Sequence, residues 1–164
     1  MNSAIERLVQ LRVSDVMQRK VIELPASSRM TEAASKLLDH EISGAPVVDE
    51  SGRCIGLLSA TDFLRWAKAG RDLGDLSYRG RCHHVTQQSA DAPIMVEESP
   101  DDDVRAHMTA AVQSIAADEW LTSAARRMCA AHVHRLPVVD ARGRVVGVVS
   151  SLDIAAAMIG AIEE

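Results

Sequence analysis

The sequence lacks several features that would indicate particular functions. Of its 164 residues only 2% are aromatic, too few for the base-stacking platforms of single-strand nucleic-acid binders. No apolar run approaches the roughly 18–20 residues that cross a bilayer, and no secretory signal precedes the first charges, so we expect no membrane association. Lys and Arg number 18 against 23 Asp and Glu, a net charge of −5, which argues against a nucleic acid as the main partner.

Cysteine is also scarce. Cys54, Cys82 and Cys129 are odd in number and lack the spacing of metal ligands, which favours a reducing compartment over a disulfide framework. We expect Cys54 and Cys129 to pack in the core. With 47% hydrophobic and 25% charged residues, the composition is that of a globular protein, and we expect it to be cytoplasmic.

What the sequence does contain is an internal repeat. Shifting the chain by 91 positions aligns Ala45–Asp49 with Leu136–Asp140 and gives 16 identities in the 58 ungapped pairs from Val13 to Gly70. The identical pairs include Ser59 with Ser150 and Asp62 with Asp153. Because so many identities without a gap do not arise by chance, the chain is a tandem duplication.

The sequence pattern of each copy predicts secondary-structure elements in the order β-α-β-β-α. A short strand comes near Val21–Leu24 or Val112–Ile115, and a helix with an apolar stripe follows, over Met30–Ile42 or Leu121–Val133, with Ser27 and Asp118 as N-caps. Two strands come next, joined by turns that end in Gly52 and Gly143 and should hold these glycines in the left-handed region. The strands are predicted at Ala45–Val48, Cys54–Leu58, Leu136–Val139 and Val145–Val149, and a final helix follows Ser59 or Ser150.

We therefore predict an α/β (α+β) fold in which two β-α-β-β-α units pack into one module, since neither has the mass for its own core. Residues 1–12 form an N-terminal helix or extension and residues 13–70 the first repeat. Residues 71–103 form a linker and residues 104–164 the second repeat. The acidic stretch Ser99–Asp103 favours the start of a short helix that carries Val104 and Met108.

These motifs resemble those of the cystathionine-β-synthase-type (CBS) domain pair, or Bateman module. The resemblance rests on Gly44–Asp49 and Gly56–Asp62, on their counterparts His134–Asp140 and Gly147–Asp153, and on the opening Val13–Met17. It covers nearly the whole chain apart from the first dozen residues and the linker, so we expect a stand-alone pair. The resemblance implies a non-enzymatic regulator that binds AMP, ADP, ATP or S-adenosylmethionine between the repeats, needs no cofactor and signals to an unknown partner protein.

The residues themselves predict a phosphate site where the final helix of each copy begins. A helix that follows a strand exposes unpaired N–H groups with a partial positive charge, and the hydroxyl of Ser59 or Ser150 adds a further polar group. Asp62 or Asp153, one turn later, can accept hydrogen bonds from ribose hydroxyls, and the resemblance assigns the same roles. The alternative is a capping box, Ser-x-x-Asp, in which these side chains satisfy only backbone donors.

Further binding residues follow from the matching positions. Apolar walls and backbone amides for the adenine fall at Ile22, Ala45 and Pro46 in the first copy, and at Gln113, Leu136 and Pro137 in the second. Thr61, where the second copy has Leu152, makes the first site more polar. Arg135, where the first copy has Gly44, can meet a di- or triphosphate; the alternative is a solvated surface arginine.

Other functions have weaker support. No Ser-His-Asp or Cys-His arrangement is indicated, so we do not expect an enzyme. Cys82-His83-His84 and His132-x-His134 lack paired ligand spacing, and we expect no metal site. The competing hypothesis is an interaction adaptor whose nucleotide cleft is vestigial.

The final helices predict the assembly. The stretch Ile154–Ile162 has no polar side chain on any face, whereas a helix on a single core should have a polar back. We expect a homodimer through the final helix of each repeat, with Trp66, Met158 and Ile159 supplying buried area. The alternative is that an alanine-rich back is simply exposed.

Overall fold

The computed structural model of the chain describes residues 2–68, 103–110 and 112–163. Its elements in chain order are α1 (Asn2–Gln10), α2 (Val13–Val16), β1 (Leu24–Pro25), α3 (Met30–Asp39), β2 (Gly44–Val48), β3 (Cys54–Ser59), α4 (Ala60–Lys68), α5 (Val104–His107), β4 (Ile115–Ala116), α6 (Leu121–Ala131), β5 (Arg135–Val139), β6 (Val145–Ser150) and α7 (Ser151–Glu163). The β-α-β-β-α order predicted for each repeat is therefore present twice.

Each repeat forms its own three-stranded sheet, β1-β2-β3 and β4-β5-β6. The first two strands of each sheet run parallel, and the second and third form an antiparallel hairpin. Gly52 and Gly143 close the hairpin turns with φ of 77° and 78°, the left-handed conformation that glycine adopts without strain. The hairpins match the predicted strands to within one residue at each end, whereas β1 and β4 are only two residues long and lie further along the chain than predicted.

The short helices α2 and α5 are exchanged between the repeats. Val13 and Met17 pack in the core of the second repeat, whereas Val104 and Met108 pack against the core of the first. The backbone follows the same exchange, because the N–H of Val13 donates to the carbonyl of Glu119 (2.9 Å) and that of Val104 to Ser28 (2.8 Å). Each core is therefore completed by the other repeat, which ties the two units into one module.

The residues that follow each exchanged helix also pair with the other repeat. Gln18 makes two backbone hydrogen bonds with Val148 of β6, and Thr109 makes the corresponding two with Leu57 of β3. Gly56 and Gly147 allow this close approach: a Cβ on Gly56 would lie 2.5 Å from the Met108 sulfur, and one on Gly147 would lie 2.6 Å from the Met17 sulfur.

Several local expectations are corrected. Arg29 and Trp120, not Ser27 and Asp118, are the N-caps of α3 and α6, and neither side chain makes a capping hydrogen bond. For α3 the backbone N–H of Arg29 is satisfied by Glu32 instead (3.1 Å). The helix predicted near Ser99–Asp103 begins at Val104; Ser99 and Pro100 lie outside the described residues.

Two predictions about apolar residues were wrong. Cys129 is exposed, because α6 turns this position outward, while Cys54 is half-buried and its burial raises the pKa of its thiol. Trp66 is not free for a dimer interface: only 3% of it is exposed, and it packs in the first core with Phe63 edge-on at 6.5 Å.

The helix α1 packs against α7. The Arg7 guanidinium donates to the carbonyl of Ala161 (2.7 Å), and Ala161 is buried. The opposite side of α7 stays exposed and carries Leu152, Ile159 and Ile162. Within the described residues, none of the helices combines the length and hydropathy that a membrane span requires.

Candidate ligand sites between the repeats

The two predicted Ser–Asp pairs lie at equivalent junctions of strand and helix. β3 ends at Ser59 and β6 at Ser150, and α4 and α7 begin at the next residue. Across the hairpins, Gly44 pairs with Ser59 and Arg135 pairs with Ser150. The strand register therefore places Gly44 in the first copy and the charged Arg135 in the second directly beside the serine.

The second pair forms a complete capping box, in which the N–H of Asp153 also donates to the Ser150 hydroxyl (3.2 Å), and the first pair forms the half in which the aspartate accepts from the serine N–H. The Oδ2 atom of Asp62 accepts hydrogen bonds from the backbone N–H and the hydroxyl of Ser59, both at 2.8 Å. Asp153 does the same with Ser150, at 2.7 and 2.6 Å. One oxygen of each carboxylate is thus used to start its helix, as the alternative drawn from the sequence predicts.

The second oxygen of each carboxylate faces the other repeat. The Oδ1 atom of Asp62 accepts a hydrogen bond from the Thr109 hydroxyl (3.4 Å), and that of Asp153 accepts one from the Gln18 amide (3.0 Å). Gln18 and Thr109 are 91 residues apart and lie in the exchanged segments, so both pairs sit where the repeats meet. Sequence reasoning missed these two residues; the signal was their position directly after the identical Met17 and Met108.

The helix N–H groups expected to meet a phosphate are partly occupied. Besides the serine N–H groups, the N–H of Ala60 donates to the carbonyl of Ser43 (3.0 Å) and that of Ser151 to His134 (2.9 Å). In this conformation each serine hydroxyl also donates its proton to its aspartate, so a phosphate relies on nearby cations, and the serine has to turn its hydroxyl away from the carboxylate before it can bind one.

The two pairs differ in burial and charge. Asp62 is 4% exposed and its Oδ1 atom also accepts a hydrogen bond from Arg65 (3.0 Å), one turn further along α4. Asp153 is half-buried, and Ala156 stands where α4 has Arg65. Burial acts to raise the pKa of Asp153, but the hydrogen bonds from Ser150 and Gln18 and the charge of Arg135 outweigh it and lower that pKa below 3.8.

Arg135 spans the two repeats. From the start of β5 its guanidinium donates to the carbonyl of Gly44 (3.3 Å) and to the hydroxyl of Ser43 (3.1 Å). It is thus a bound cation between the two helix starts and not a solvated surface arginine. The first copy has no room for an equivalent side chain, since a Cβ on Gly44 would lie 2.8 Å from the carbonyl oxygen of Leu58.

The predicted adenine walls are only partly available. Ala45 and Leu136 are each 1% exposed and belong to the two cores, so their side chains are not open to a ligand, and what stays a prediction at these positions is contact through the backbone amides. Pro46 and Pro137 are also buried, on the opposite face of their strands. Ile22 is half-buried, and Gln113 and Thr61 are exposed. Extending the parallel register back from Leu24 and Val47 brings Ile22 beside Ala45, near the Ser59 end of the hairpin.

A separate cavity of about 250 Å³ lies between the end of α6 and the start of α7, lined by Met128, Cys129, His132, Val133, His134 and Ser151. His132 and His134 follow α6, as expected. Among the residues that the structure describes, no three His, Cys, Asp or Glu side chains come together as metal ligands. Cys82, His83 and His84 lie outside that part of the chain.

Comparison with known proteins identifies the family. The sequence profile of the CBS domain matches residues 13–69 and 103–160, most of the chain. The chain belongs to the CBS domain family. The uncharacterised protein MJ1426 from Methanocaldococcus jannaschii is 25% identical over 154 residues, which cover 90% of each chain.

Solved CBS domain pairs share the fold. The CBS domain pair of protein MJ0100, in complex with 5′-methylthioadenosine and S-adenosyl-L-methionine, superposes with a TM-score of 0.69 at 24% identity, covering 92% of this chain and 97% of the other. CBSX2 of Arabidopsis thaliana, in complex with AMP, also gives 0.69, at 22% identity and 93% and 98% coverage. These likenesses confirm the predicted CBS pair and its α/β architecture.

Proposed function

We propose that this CBS pair is a cytoplasmic regulatory module, which binds an adenosine nucleotide or S-adenosylmethionine between its repeats and signals to a partner protein without catalysing a reaction. The observation that carries the proposal is the crossing contact at each aspartate. Because Asp62 and Asp153 are hydrogen-bonded by Thr109 and Gln18 from the opposite repeat, a ligand at either position contacts both repeats.

Binding exchanges one set of hydrogen bonds for another. The ribose hydroxyls donate to the Oδ1 atom of the aspartate and displace the Gln18 amide or the Thr109 hydroxyl. The serine hydroxyl turns from the Oδ2 atom of the aspartate and donates to the phosphate instead, beside the positive end of the helix, while that Oδ2 atom keeps the hydrogen bond from the serine N–H. Since Gln18 and Thr109 directly follow the exchanged helices, their release loosens a tie between the repeats, and this change is what the partner senses.

The ligands of the structural relatives support this class of ligand. The MJ0100 pair was crystallised with two adenosyl compounds and CBSX2 with AMP. All three compounds combine adenine with a ribose, which are the groups that the predicted walls and the aspartate would contact.

A ligand panel tests the proposal. A ligand at about 100 times its Kd stabilises a protein by about 2.7 kcal/mol, which for this size raises the melting temperature by about 5–10 °C. We expect at least one of AMP, ADP, ATP and S-adenosylmethionine to do so at millimolar concentration, with GMP as the matched control. No shift with any of the four, confirmed by calorimetry, would reject nucleotide sensing.

The interaction adaptor is the second candidate. It is favoured by the hydrogen bonds within each pair, in which the hydroxyls of Ser59 and Ser150 already donate to their aspartates. A silent ligand panel together with a defined partner in a pull-down would support it. Steady ATP turnover that is lost on replacing Asp62 or Asp153 would instead support an enzyme.

We also propose that the module is a homodimer through its final helices. The outward face of α7 carries Leu152 (77% exposed), Ile159 (55%) and Ile162 (73%), and Leu64 on α4 is 71% exposed. An apolar stripe three turns long on one helix is costly to leave in water. A second copy presents the same stripe and covers it by twofold symmetry.

A further inference from the structure

The two sites of the proposed function are not equally open. At the first, Asp62 is 4% exposed, and its Oδ1 atom is shared between Thr109 (3.4 Å) and Arg65 (3.0 Å). At the second, Asp153 is half-buried, and the one hydrogen bond that its Oδ1 atom receives from a described residue is the 3.0 Å bond from Gln18.

A ribose that binds to the Oδ1 atom has to displace different hydrogen-bond donors at Asp62 and at Asp153. At Asp153 it replaces a neutral amide with hydroxyls, and the carboxylate keeps its charge environment. At Asp62 it has to displace an arginine, whose hydrogen bond to a carboxylate is about twice as strong as a neutral one. The exchange is therefore close to balanced at the second site and unfavourable at the first.

Arg135 is a cation between the two helix starts. Arg135 pairs in register with Ser150, and its charge contributes to the depressed pKa of Asp153. Its own hydrogen bonds, to Ser43 and the Gly44 carbonyl, are made to neutral groups at 3.1 and 3.3 Å. A phosphate beside Ser150 offers this guanidinium a charged, bidentate partner instead. The first site has Gly44 in this position, and Arg135 reaches that site from the other repeat, so the burial of Asp62 and its contact with Arg65, and not the position of Arg135, decide which site is open.

We propose that Ser150 and Asp153 form the ligand-accepting site, that Arg135 makes this site selective for phosphate-bearing adenosine ligands, and that Arg65 keeps the first site closed. This inference rests on the proposed function. It assigns the two arginines opposite roles, one closing a site and the other selecting what enters the second.

Titration calorimetry with AMP tests which site accepts the ligand. We expect the wild type to bind one AMP per chain and Asp153→Asn to bind about tenfold to a hundredfold more weakly, the effect of weakening a charge-assisted hydrogen bond. Arg65→Ala should raise the stoichiometry towards two, because the exposed guanidinium (71%) no longer holds Asp62. Asp39→Asn and Arg126→Ala, both at exposed positions of α3 and α6 outside the motifs, are the matched controls.

A second titration tests selectivity. The preference for AMP over adenosine should fall about tenfold or more in Arg135→Ala, since the variant loses a charged contact to the phosphate. An unchanged ratio of the two affinities would overturn the role of Arg135, and so would a wild type that binds S-adenosylmethionine but not AMP.

The possible outcomes distinguish a failure of this inference from a failure of the proposed function. Absence of binding by every adenosyl ligand overturns both. Two AMP molecules per wild-type chain, a larger loss in Asp62→Asn than in Asp153→Asn, or one AMP per chain in Arg65→Ala overturns only the assignment of the sites. Circular dichroism melts of each variant show whether a loss of binding is a loss of folding.

Discussion

At the residue scale, the carboxylates at the two sites serve the fold before any ligand arrives. Each Oδ2 atom holds the start of a helix, and each Oδ1 atom holds a residue from the other repeat. At Asp153 these hydrogen bonds and the charge of Arg135 overcome the effect of burial, so its pKa is lower in the folded chain than in the unfolded one. The ionised form of Asp153 is therefore linked to folding.

The sign of this linkage predicts an acid-dependent contribution to stability. A group with a depressed folded-state pKa stabilises the fold above its unfolded pKa, here 3.8, and loses this contribution as the pH falls through its folded pKa. At pH 7 the melting temperature of Asp153→Asn should be lower than that of the wild type, because the variant loses the free energy of a helix cap, about 1 kcal/mol. The difference between the two melting temperatures should become smaller towards pH 3, because the wild type then loses the contribution of the ionised carboxylate.

Melting temperatures measured from pH 7 to pH 3 check this prediction. Asp39→Asn, at an exposed position on α3, is the control and should run parallel to the wild type. Asp49 and Asp140 also have lowered pKa values, through hydrogen bonds in the two hairpin turns, so the wild type itself should lose stability in acid. A gap between Asp153→Asn and wild type that widens in acid would contradict the linkage.

At the scale of elements, the exchange of α2 and α5 decides which residues meet. Met17 lies against Gly147, and Met108 against Gly56, so each glycine of one repeat is covered by the chain of the other. A Cβ on Gly147 would also come within 3.1 Å of the Gln18 carbonyl, which is hydrogen-bonded to Val148. The methionine can bend away, but the backbone cannot move without breaking the edge of the sheet.

A double-mutant cycle tests the exchange. Gly147→Ala should destabilise the protein by about 1–3 kcal/mol through overpacking. Combined with Met17→Ala it should cost less than the sum of the single changes, with a coupling of about 0.5–3 kcal/mol. Urea denaturation of the four proteins measures this coupling.

The matched cycle pairs Met17→Ala with Gly56→Ala. In the exchanged arrangement Gly56 faces Met108, so this second cycle should be additive. Coupling of Met17 to Gly56 in place of Gly147 would mean that each short helix packs on its own repeat.

At the scale of the whole molecule, the outer stripe of α7 predicts the oligomeric state. Light scattering after size exclusion should report about twice the chain mass of 17.7 kDa. Ile159→Glu or Met158→Glu should shift the protein towards monomer, because a dimer would bury the new charge. Leu38→Glu is the matched control, since Leu38 is exposed to a similar extent (58%) on α3, away from the stripe.

A monomeric wild type at tens of micromolar would end the dimer proposal. Equal loss of dimer in Leu38→Glu would place the interface elsewhere, on α3. Trp66 takes no part in this test because it is packed inside the first core.

The sequence by itself determined the elements and their duplication. Apolar periodicity, the turn glycines and the 91-residue offset depend only on neighbours along the chain, so the hairpins and helices fall close to where these patterns predict them. The Ser-x-x-Asp pairs were predictable for the same reason, since a capping box spans a single helical turn.

Only the tertiary structure decided which repeat supplies the short helix that completes each core. It also decided which residue contacts the Oδ1 atom of each aspartate. Val13 and Met17 are identical to Val104 and Met108, so the sequence satisfies either pairing equally well. The same long-range packing brings Gln18 and Thr109 to the carboxylates, carries Arg135 across to Gly44 and buries Ala45 and Leu136. The hydrogen bonds among them join residues 47 to 135 positions apart, a separation over which local sequence patterns carry no information about contact.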